Sequence, residues 1–117
     1  MVVRTSILLA FAVAVGLTPG VQFASSQTQT DMNLRSANEY RAAEAELTAM
    51  YAKLKQTPTL NAAQRAWIAY RDAECLYEHH ATPAGSMYSM EESMCKTALT
   101  RQRIEVLKKA VAEGYSG

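Results

Sequence analysis

Two cysteines and two adjacent histidines are the side chains of this 117-residue chain with the clearest potential for chemistry. Cys75 and Cys95 are the only cysteines, and His79 and His80 lie between them. Two thiols can join in a disulfide, or two cysteines and two histidines together can hold zinc. The cysteine spacing matches neither Cys-x-x-Cys nor Cys-x-x-Cys-His, so it does not support thioredoxin-type redox chemistry or covalent haem attachment.

Methionines close to the histidines offer a second metal chemistry. Cu(I) is a soft ion that prefers thioether and imidazole ligands. Methionines at helical spacing, however, belong more often to a hydrophobic core than to a metal site. A copper site in this chain would draw its ligands from His79, His80, Met87, Met90 and Met94.

The sequence offers little support for catalysis. Ser86 could be paired with one of the histidines, but no nucleophile elbow or oxyanion motif surrounds it. Glu91 and Glu92 are adjacent at the start of a helical pattern, so their carboxylates diverge and simply favour the positive end of the helix dipole. We therefore expect no enzyme activity and no cofactor.

The first 26 residues are typical of a secretory signal peptide. Arg4 supplies a positive charge, residues 7–17 form an uninterrupted apolar run, and residues 24–26 provide small side chains for cleavage. The run is shorter than the roughly 20 residues that a membrane span requires. The mature chain, residues 27–117, is therefore predicted to be periplasmic or secreted and not held in the membrane.

Export favours oxidation of the two cysteines over metal binding. Cysteine pairs in exported proteins usually form disulfides. We predict a Cys75–Cys95 disulfide, which would contribute about 3 kcal/mol to stability in the chain-entropy model. Zinc or copper binding remains an alternative.

Charge is unevenly distributed along the chain. The formal net charge is +1, and no broad basic face is evident, so nucleic-acid binding is not expected. The cysteines are instead surrounded by acids, which predicts an acidic tip where the two cysteine-bearing helices meet. These acids are Asp72, Glu74, Glu78, Glu91 and Glu92.

Apolar residues recur at three- and four-residue steps in three segments, which predicts an all-α fold: a small three-helix bundle in one domain. The first helix should begin with Asp31 as its cap and end near Lys55, before Pro58. Its inward stripe is predicted to contain Leu34, Ala37, Tyr40, Leu47, Met50, Tyr51 and Leu54.

The second and third helices carry the two cysteines. A capping box of Asn61 and Gln64 should begin the second helix, and one of Ser89 and Glu92 the third, which should stop at Gly114. The inward stripe of the second helix is predicted to contain Ala66 or Trp67, Tyr70, Ala73 or Glu74, and Tyr77. That of the third is predicted to contain Met90, Met94, Ala98 or Leu99, Ile104, Leu107 and Val111.

Antiparallel pairing about the disulfide brings Arg71 level with Leu99 and Trp67 level with Arg103. An arginine over an indole is a favourable cation–π contact, and an arginine can hold a carboxylate by two hydrogen bonds. We interpret this seam as architectural. The predicted network contains Trp67, Tyr70, Arg71, Asp72, Arg101 and Arg103.

Two patterns carry a resemblance to a known family. Trp67 to Cys75 reads W-x-x-Y-R-D-x-x-C, and Cys95 to Arg103 reads C-x-x-x-L-T-x-x-R. With these residues the chain resembles the LprI-like family, which is named for a lysozyme inhibitor. The resemblance implies a small exported helical domain with paired cysteines, whose partner is a lysozyme-type glycoside hydrolase.

Such an inhibitor must place a protrusion in a sugar cleft that contains two carboxylates. The loop between the second and third helices is the best candidate, because a serine or tyrosine hydroxyl can donate a hydrogen bond to a catalytic carboxylate. The predicted partner-binding residues are Gly85, Ser86, Tyr88, Glu91 and Glu92. A periplasmic metal-binding protein and an envelope interaction module are the alternatives.

Overall fold

The computed structural model describes Gly16, residues 28–79, Gly85, residues 87–115 and Gly117. Three helices account for most of these residues: α1 (Gln29–Ala52), α2 (Pro58–Glu78) and α3 (Tyr88–Ala112). The predicted all-α bundle is confirmed. The predicted signal peptide lies outside the described residues, apart from Gly16. Within the described ranges, no helix has the length and apolar character needed to cross a membrane.

Helices α1 and α3 run parallel, and α2 runs antiparallel to both. Near the beginning of both parallel helices, the side-chain amide of Gln29 lies 3.9 Å from the sulfur of Met90. Further along, the ammonium group of Lys108 lies 3.6 Å from the carboxylate of Glu46. The closest packing is between α1 and α3, and α2 lies against α3. Helix α3 is therefore the central element of the bundle, because both other helices pack against it.

A capping box begins α1, but not at the predicted residue. The Thr28 hydroxyl accepts a hydrogen bond from the Asp31 backbone N–H at 3.1 Å, and the Asp31 carboxylate accepts one from the Thr28 N–H at 3.3 Å. Asp31 is thus the third helical residue, and the prediction that it caps the helix is wrong. The reciprocal pair satisfies two N–H groups that have no partner within the helix.

The predicted starts of the other two helices are also wrong. Thr57 caps α2, its hydroxyl accepting the Leu60 N–H at 3.1 Å, and Pro58 occupies the first helical position, where a missing N–H is harmless. Asn61 is therefore already inside the helix. Helix α3 begins after Met87 with no side-chain cap, so Ser89 and Glu92 do not form the expected capping box.

Helix α3 ends at Ala112, just before Gly114, the residue predicted to stop it. This glycine has φ +91°, a left-handed conformation that disfavours other residues. Its N–H donates to the carbonyl of Val111, and the N–H of Tyr115 donates to that of Ala110, each at 3.1 Å. These two bonds form a Schellman motif and satisfy carbonyls that the last helical turn leaves free.

The hydrophobic core lies at one end of the bundle, which we call the apolar end. Leu47 and Leu54 of the α1 side pack there with Ile104 and Leu107 of α3, and all four are buried. Partly buried residues surround this centre: Met50, Tyr51, Leu60, Trp67, Ala110 and Val111. At the same end, the N–H of Lys55 donates to the carbonyl of Tyr115 at 3.0 Å, which ties the chain after α3 to the α1–α2 connection.

Toward the opposite end, the helices meet through small and polar side chains. Leu34, Tyr70, Tyr77 and Met94, which were predicted to face inward, are all exposed. The buried positions in this half belong to Ser36, Ala43, Arg71, Cys75, Thr97 and Thr100. Short side chains allow α1 and α3 to approach closely, because interaxial distance depends on the residues at the contact. The prediction of the inner face of α2 from its apolar pattern is therefore wrong.

Candidate functional site

The disulfide joins the last turns of α2 to the first turns of α3. Cys75 and Cys95 are bonded, with their Cα atoms 5.7 Å apart, and Cys75 is completely buried. The predicted pairing is confirmed. A carboxylate oxygen of Glu78 lies 3.2 Å from the Cys95 sulfur. Because a disulfide sulfur carries no proton, this approach is a contact rather than a hydrogen bond.

An imidazole, a phenol and a carboxylate gather beside the disulfide. His79, which ends α2, has its Nδ1 atom 3.6 Å from a carboxylate oxygen of Glu91 in α3. Its ring meets that of Tyr88 edge-on, with the centroids 6.5 Å apart. Among the described residues, the buried Nε2 atom of His79 and Oε2 atom of Glu91 have no hydrogen-bond partner. We call this region the disulfide end; it contains Cys75, Glu78, His79, Tyr88, Glu91 and Cys95.

Part of the predicted partner-binding loop belongs to this end. Gly85 is exposed, and its carbonyl accepts a hydrogen bond from the Tyr88 N–H at 3.1 Å. Tyr88 and Glu91 are half-buried in the first turn of α3. Ser86, residues 81–84 and His80 lie outside the described part of the chain. The inhibitory role of the loop therefore stays a prediction.

Cations partly neutralise the acidic tip that the sequence predicts. Lys96 donates to Glu92 at 2.7 Å, and Arg71 donates to Asp72 at 2.9 Å. Burial lowers the pKa of Lys96, but its hydrogen bond to Glu92 and nearby negative charges raise that pKa by more, so the net change is upward. Glu78 remains exposed beside the disulfide.

Behind this end, a single guanidinium fills the space between α2 and α1. Arg71 is only 3% exposed. Its Nε atom donates to Asp72, and its Nη1 atom pairs with Glu44 of α1 and reaches the Thr100 hydroxyl of α3 at 3.4 Å. One side chain thus links all three helices.

Two aromatic rings flank the same guanidinium. The Arg71 Cζ atom lies 5.3 Å from the Tyr40 ring centroid and 5.2 Å from that of Trp67. Burial lowers the pKa of Arg71. The hydrogen bond to Asp72 and the electrostatic attraction of Tyr40 and Glu44 outweigh that effect, so the net change in the pKa is upward. We call this set the Arg71 cluster; it contains Tyr40, Glu44, Trp67, Arg71, Asp72 and Thr100.

The structure brings together some members of the predicted network and separates others. Arg103 lies over Trp67, with its Cζ atom 5.8 Å from the ring centroid. Tyr70 is 53% exposed, and Arg101 is exposed beside Glu46 on another side of α3, so neither joins the cluster. The sequence reasoning missed several contributors: Tyr40, Glu44, Gln64 and Thr100. A four-residue spacing puts Tyr40 and Glu44 on one face of α1, but only the packing of α1 shows which arginine they meet.

Most of the chain matches one known protein family. Residues 22–107 match the family described as lysozyme inhibitor LprI. The chain belongs to the LprI family. The uncharacterized protein R02472 of Rhizobium meliloti (strain 1021) is 37% identical over 100 residues, which cover 69% of this chain and 72% of that protein. No solved structure matches the chain.

The region matched to the LprI family includes both the disulfide end and the Arg71 cluster. Every residue of the W-x-x-Y-R-D-x-x-C and C-x-x-x-L-T-x-x-R patterns lies within it. LprI is an inhibitor family, so the resemblance seen in the sequence is confirmed at the family level.

The metal alternatives fit the geometry poorly. Glu78, His79 and Cys95 offer ligand atoms within 4.8 Å of one another, but the Cys95 sulfur is bonded to Cys75 and provides no thiolate. For the same reason, neither Cys75 nor Cys95 can serve as a ligand in the predicted zinc site. Met87 and Met94 are exposed, and the Met90 sulfur faces the Gln29 amide of α1. This arrangement does not favour a copper centre.

Proposed function

We propose that this LprI-family chain is an exported, non-catalytic inhibitor of lysozyme-type muramidases, and that its disulfide end contacts the enzyme. The observation that carries the proposal is the match of residues 22–107 to a family of lysozyme inhibitors. The predicted signal peptide and the cysteine pair agree with export to an oxidising compartment.

The chemistry of the disulfide end supports contact with a lysozyme. A lysozyme cleft contains two catalytic carboxylates, one of which is protonated and one ionised during the reaction. The Tyr88 hydroxyl and the predicted loop can supply hydrogen-bond donors to such groups. Exposed Glu78 and the adjacent acids would attract a cationic lysozyme and speed the encounter.

The disulfide also gives this end a rigid base. Cys75 and Cys95 fix the first turns of α3 against the last turns of α2, so Tyr88 and Glu91 stay in place. A surface that is ordered before binding loses less conformational entropy when the complex forms. We therefore infer that the covalent link maintains the binding surface as well as the fold.

An inhibition titration tests the proposal. Purified oxidised mature protein is added to lysozyme during hydrolysis of cell-wall substrate, with chicken-type, goose-type and invertebrate-type enzymes in parallel. We expect hydrolysis by at least one type to fall to a plateau as the protein is added. Undiminished hydrolysis by all three types at large molar excess would reject the proposal.

The contribution of the loop is tested separately. Combined substitution of Gly85, Ser86 and Tyr88 by alanine should abolish inhibition and leave the helical circular-dichroism signal unchanged. A matched triple substitution by alanine at exposed positions of α1, Glu39, Arg41 and Thr48, should leave inhibition intact. If inhibition survived the loop substitutions, the binding surface would have to lie elsewhere on the protein.

A further inference from the structure

A cavity lies at the apolar end, away from the disulfide. It has a volume of ≈ 450 Å³ and opens between the start of α2, the last turns of α3 and the segment after it. This volume is within the roughly 300–1,000 Å³ typical of small-molecule sites. Leu60, Val106, Ala110 and Tyr115 provide a mainly apolar lining.

The cavity wall contains a cation, Arg103, that is held by neutral groups. Arg103 is half-buried, its Nε atom donates to the Gln64 side chain at 3.1 Å, and its guanidinium lies over Trp67. In the part of the chain that the structure describes, no carboxylate pairs with it. Arg71 differs, because both Glu44 and Asp72 hold its guanidinium.

The surroundings of Arg103 favour an incoming anion. Burial lowers the pKa of Arg103, so its environment disfavours the charge, and no carboxylate among the described residues compensates for it. The exposed Lys55 lies on the wall of the same cavity and adds a second cation. An apolar pocket with two cations suits a ligand with an apolar body and one negative group.

We propose that this cavity binds a free amphiphilic monocarboxylate of the fatty-acid class. The carboxylate pairs with Arg103 and Lys55, and the hydrocarbon chain packs against Leu60, Val106 and Ala110. The site is separate from the proposed lysozyme-binding surface and does not depend on it, because the two lie at opposite ends of the bundle.

The protein carries its own reporter for this binding. Trp67 is the only tryptophan, and the Arg103 guanidinium lies 5.8 Å from its ring centroid. Titration with decanoate below its micelle concentration should change tryptophan emission and reach saturation. Decanol, which has the chain without the charge, should bind about tenfold more weakly, as expected for loss of a charged hydrogen bond. Acetate should not bind.

Other results of the same titration would overturn the proposal. Equal affinity for decanol and decanoate would mean that Arg103 does not select the ligand. A lack of saturation by decanoate would mean that the cavity does not bind it. Tighter binding of a short apolar peptide with a free carboxylate would assign the cavity to a protein terminus rather than to a fatty acid.

Substitutions measured by calorimetry distinguish a site from general apolar adsorption. Arg103→Gln should weaken decanoate binding about tenfold, whereas Arg101→Gln removes an exposed arginine of the same helix and should not change it. Because Arg103 also packs on Trp67, its substitution disturbs the packing of the core as well as the charge. A second pair of variants, at Val106, leaves that packing unchanged. Val106 is 55% exposed, so it can be replaced without disturbing the core. The negative charge of Val106→Asp should repel the carboxylate of decanoate. Val106→Asn has a side chain of nearly the same shape as aspartate but no charge, and it should bind decanoate more tightly than Val106→Asp. Equal affinities in the Val106 pair would contradict the proposal.

Discussion

The two ends of the bundle are held together by different forces. At the apolar end, Leu47, Leu54, Ile104 and Leu107 exclude water from a small hydrophobic centre. Among the described residues of the other half, Ala43 and Cys75 are the buried apolar side chains, and the helices there are joined by the disulfide and the Arg71 cluster. A covalent bond and a few directed contacts there take the place of apolar packing.

The difference indicates how function and stability are divided. A binding surface must expose polar and aromatic groups that a hydrophobic core would bury. The disulfide end can do so because its helices are covalently linked, and the apolar end supplies most of the burial. Substitutions should therefore have distinct effects at the two ends.

The largest effect is expected in the hydrophobic centre. Ile104→Ala should lower the free energy of unfolding by about 2–5 kcal/mol, because it removes buried methyl groups and leaves a cavity. Urea denaturation measures the loss. Val106→Ala is the control, since Val106 lies on the same helix but is exposed, and it should cost less than about 1 kcal/mol. Similar losses in both variants would contradict the location of the core.

Loss of the disulfide should follow in size. The double substitution Cys75→Ala and Cys95→Ala should cost about 3 kcal/mol, the value expected for closing a loop of this length. Hydrogen exchange should show the extra opening at the start of α3 and the end of α2, with the apolar end still protected. Loss of protection that is uniform along α3 would mean that the two ends do not behave separately.

Removal of the central arginine should cost less. Arg71→Met keeps much of the side-chain volume but breaks the pairs with Glu44 and Asp72, and we expect about 1.5 kcal/mol. The loss is limited because both carboxylates are partly exposed and regain water. Arg101→Met, at an exposed position, should change the unfolding free energy by no more than about 0.5 kcal/mol. Equal changes in the free energy of unfolding for these two substitutions would mean that the Arg71 cluster does not stabilise the protein.

The smallest effect concerns alkaline pH. Burial raises the pKa of Tyr40 above its ordinary value of 10.0, and negative neighbours add to that effect while Arg71 opposes it. A group with a raised folded pKa stabilises the protein below the unfolded pKa, and this contribution is lost as the pH rises through the folded value. Stability should therefore decline above about pH 10. Thermal unfolding of Tyr40→Phe should show a shallower decline; an unchanged slope would contradict this role.

The sequence was most informative where one residue type has a single main use. The Cys75–Cys95 pair and the stop at Gly114 were predicted because a disulfide and a left-handed turn have specific requirements. The helical periods located all three helices. These features depend on local geometry or on a covalent bond, both of which can be read from the chain.

Sequence reasoning was less successful where packing overrides the usual preference for apolar burial. Tyr70 was predicted to face inward and Arg71 was placed only in a seam, yet the structure exposes the tyrosine and buries the arginine. The reason is the composition of the neighbouring helices, which supply Glu44 and Thr100 as partners at that position. Such partners become visible only when three helices are placed together.

One pair of charge reversals tests the central claim that the disulfide end binds lysozyme and the apolar end does not. Glu78→Lys changes an exposed acid beside the disulfide, and Glu105→Lys makes the same change at an exposed position of α3 toward the apolar end. Measured with a lysozyme that the native protein inhibits, Glu78→Lys should weaken inhibition several-fold through slower encounter, and Glu105→Lys should leave it unchanged. Equal weakening by both variants, or a greater loss with Glu105→Lys, would contradict the claim.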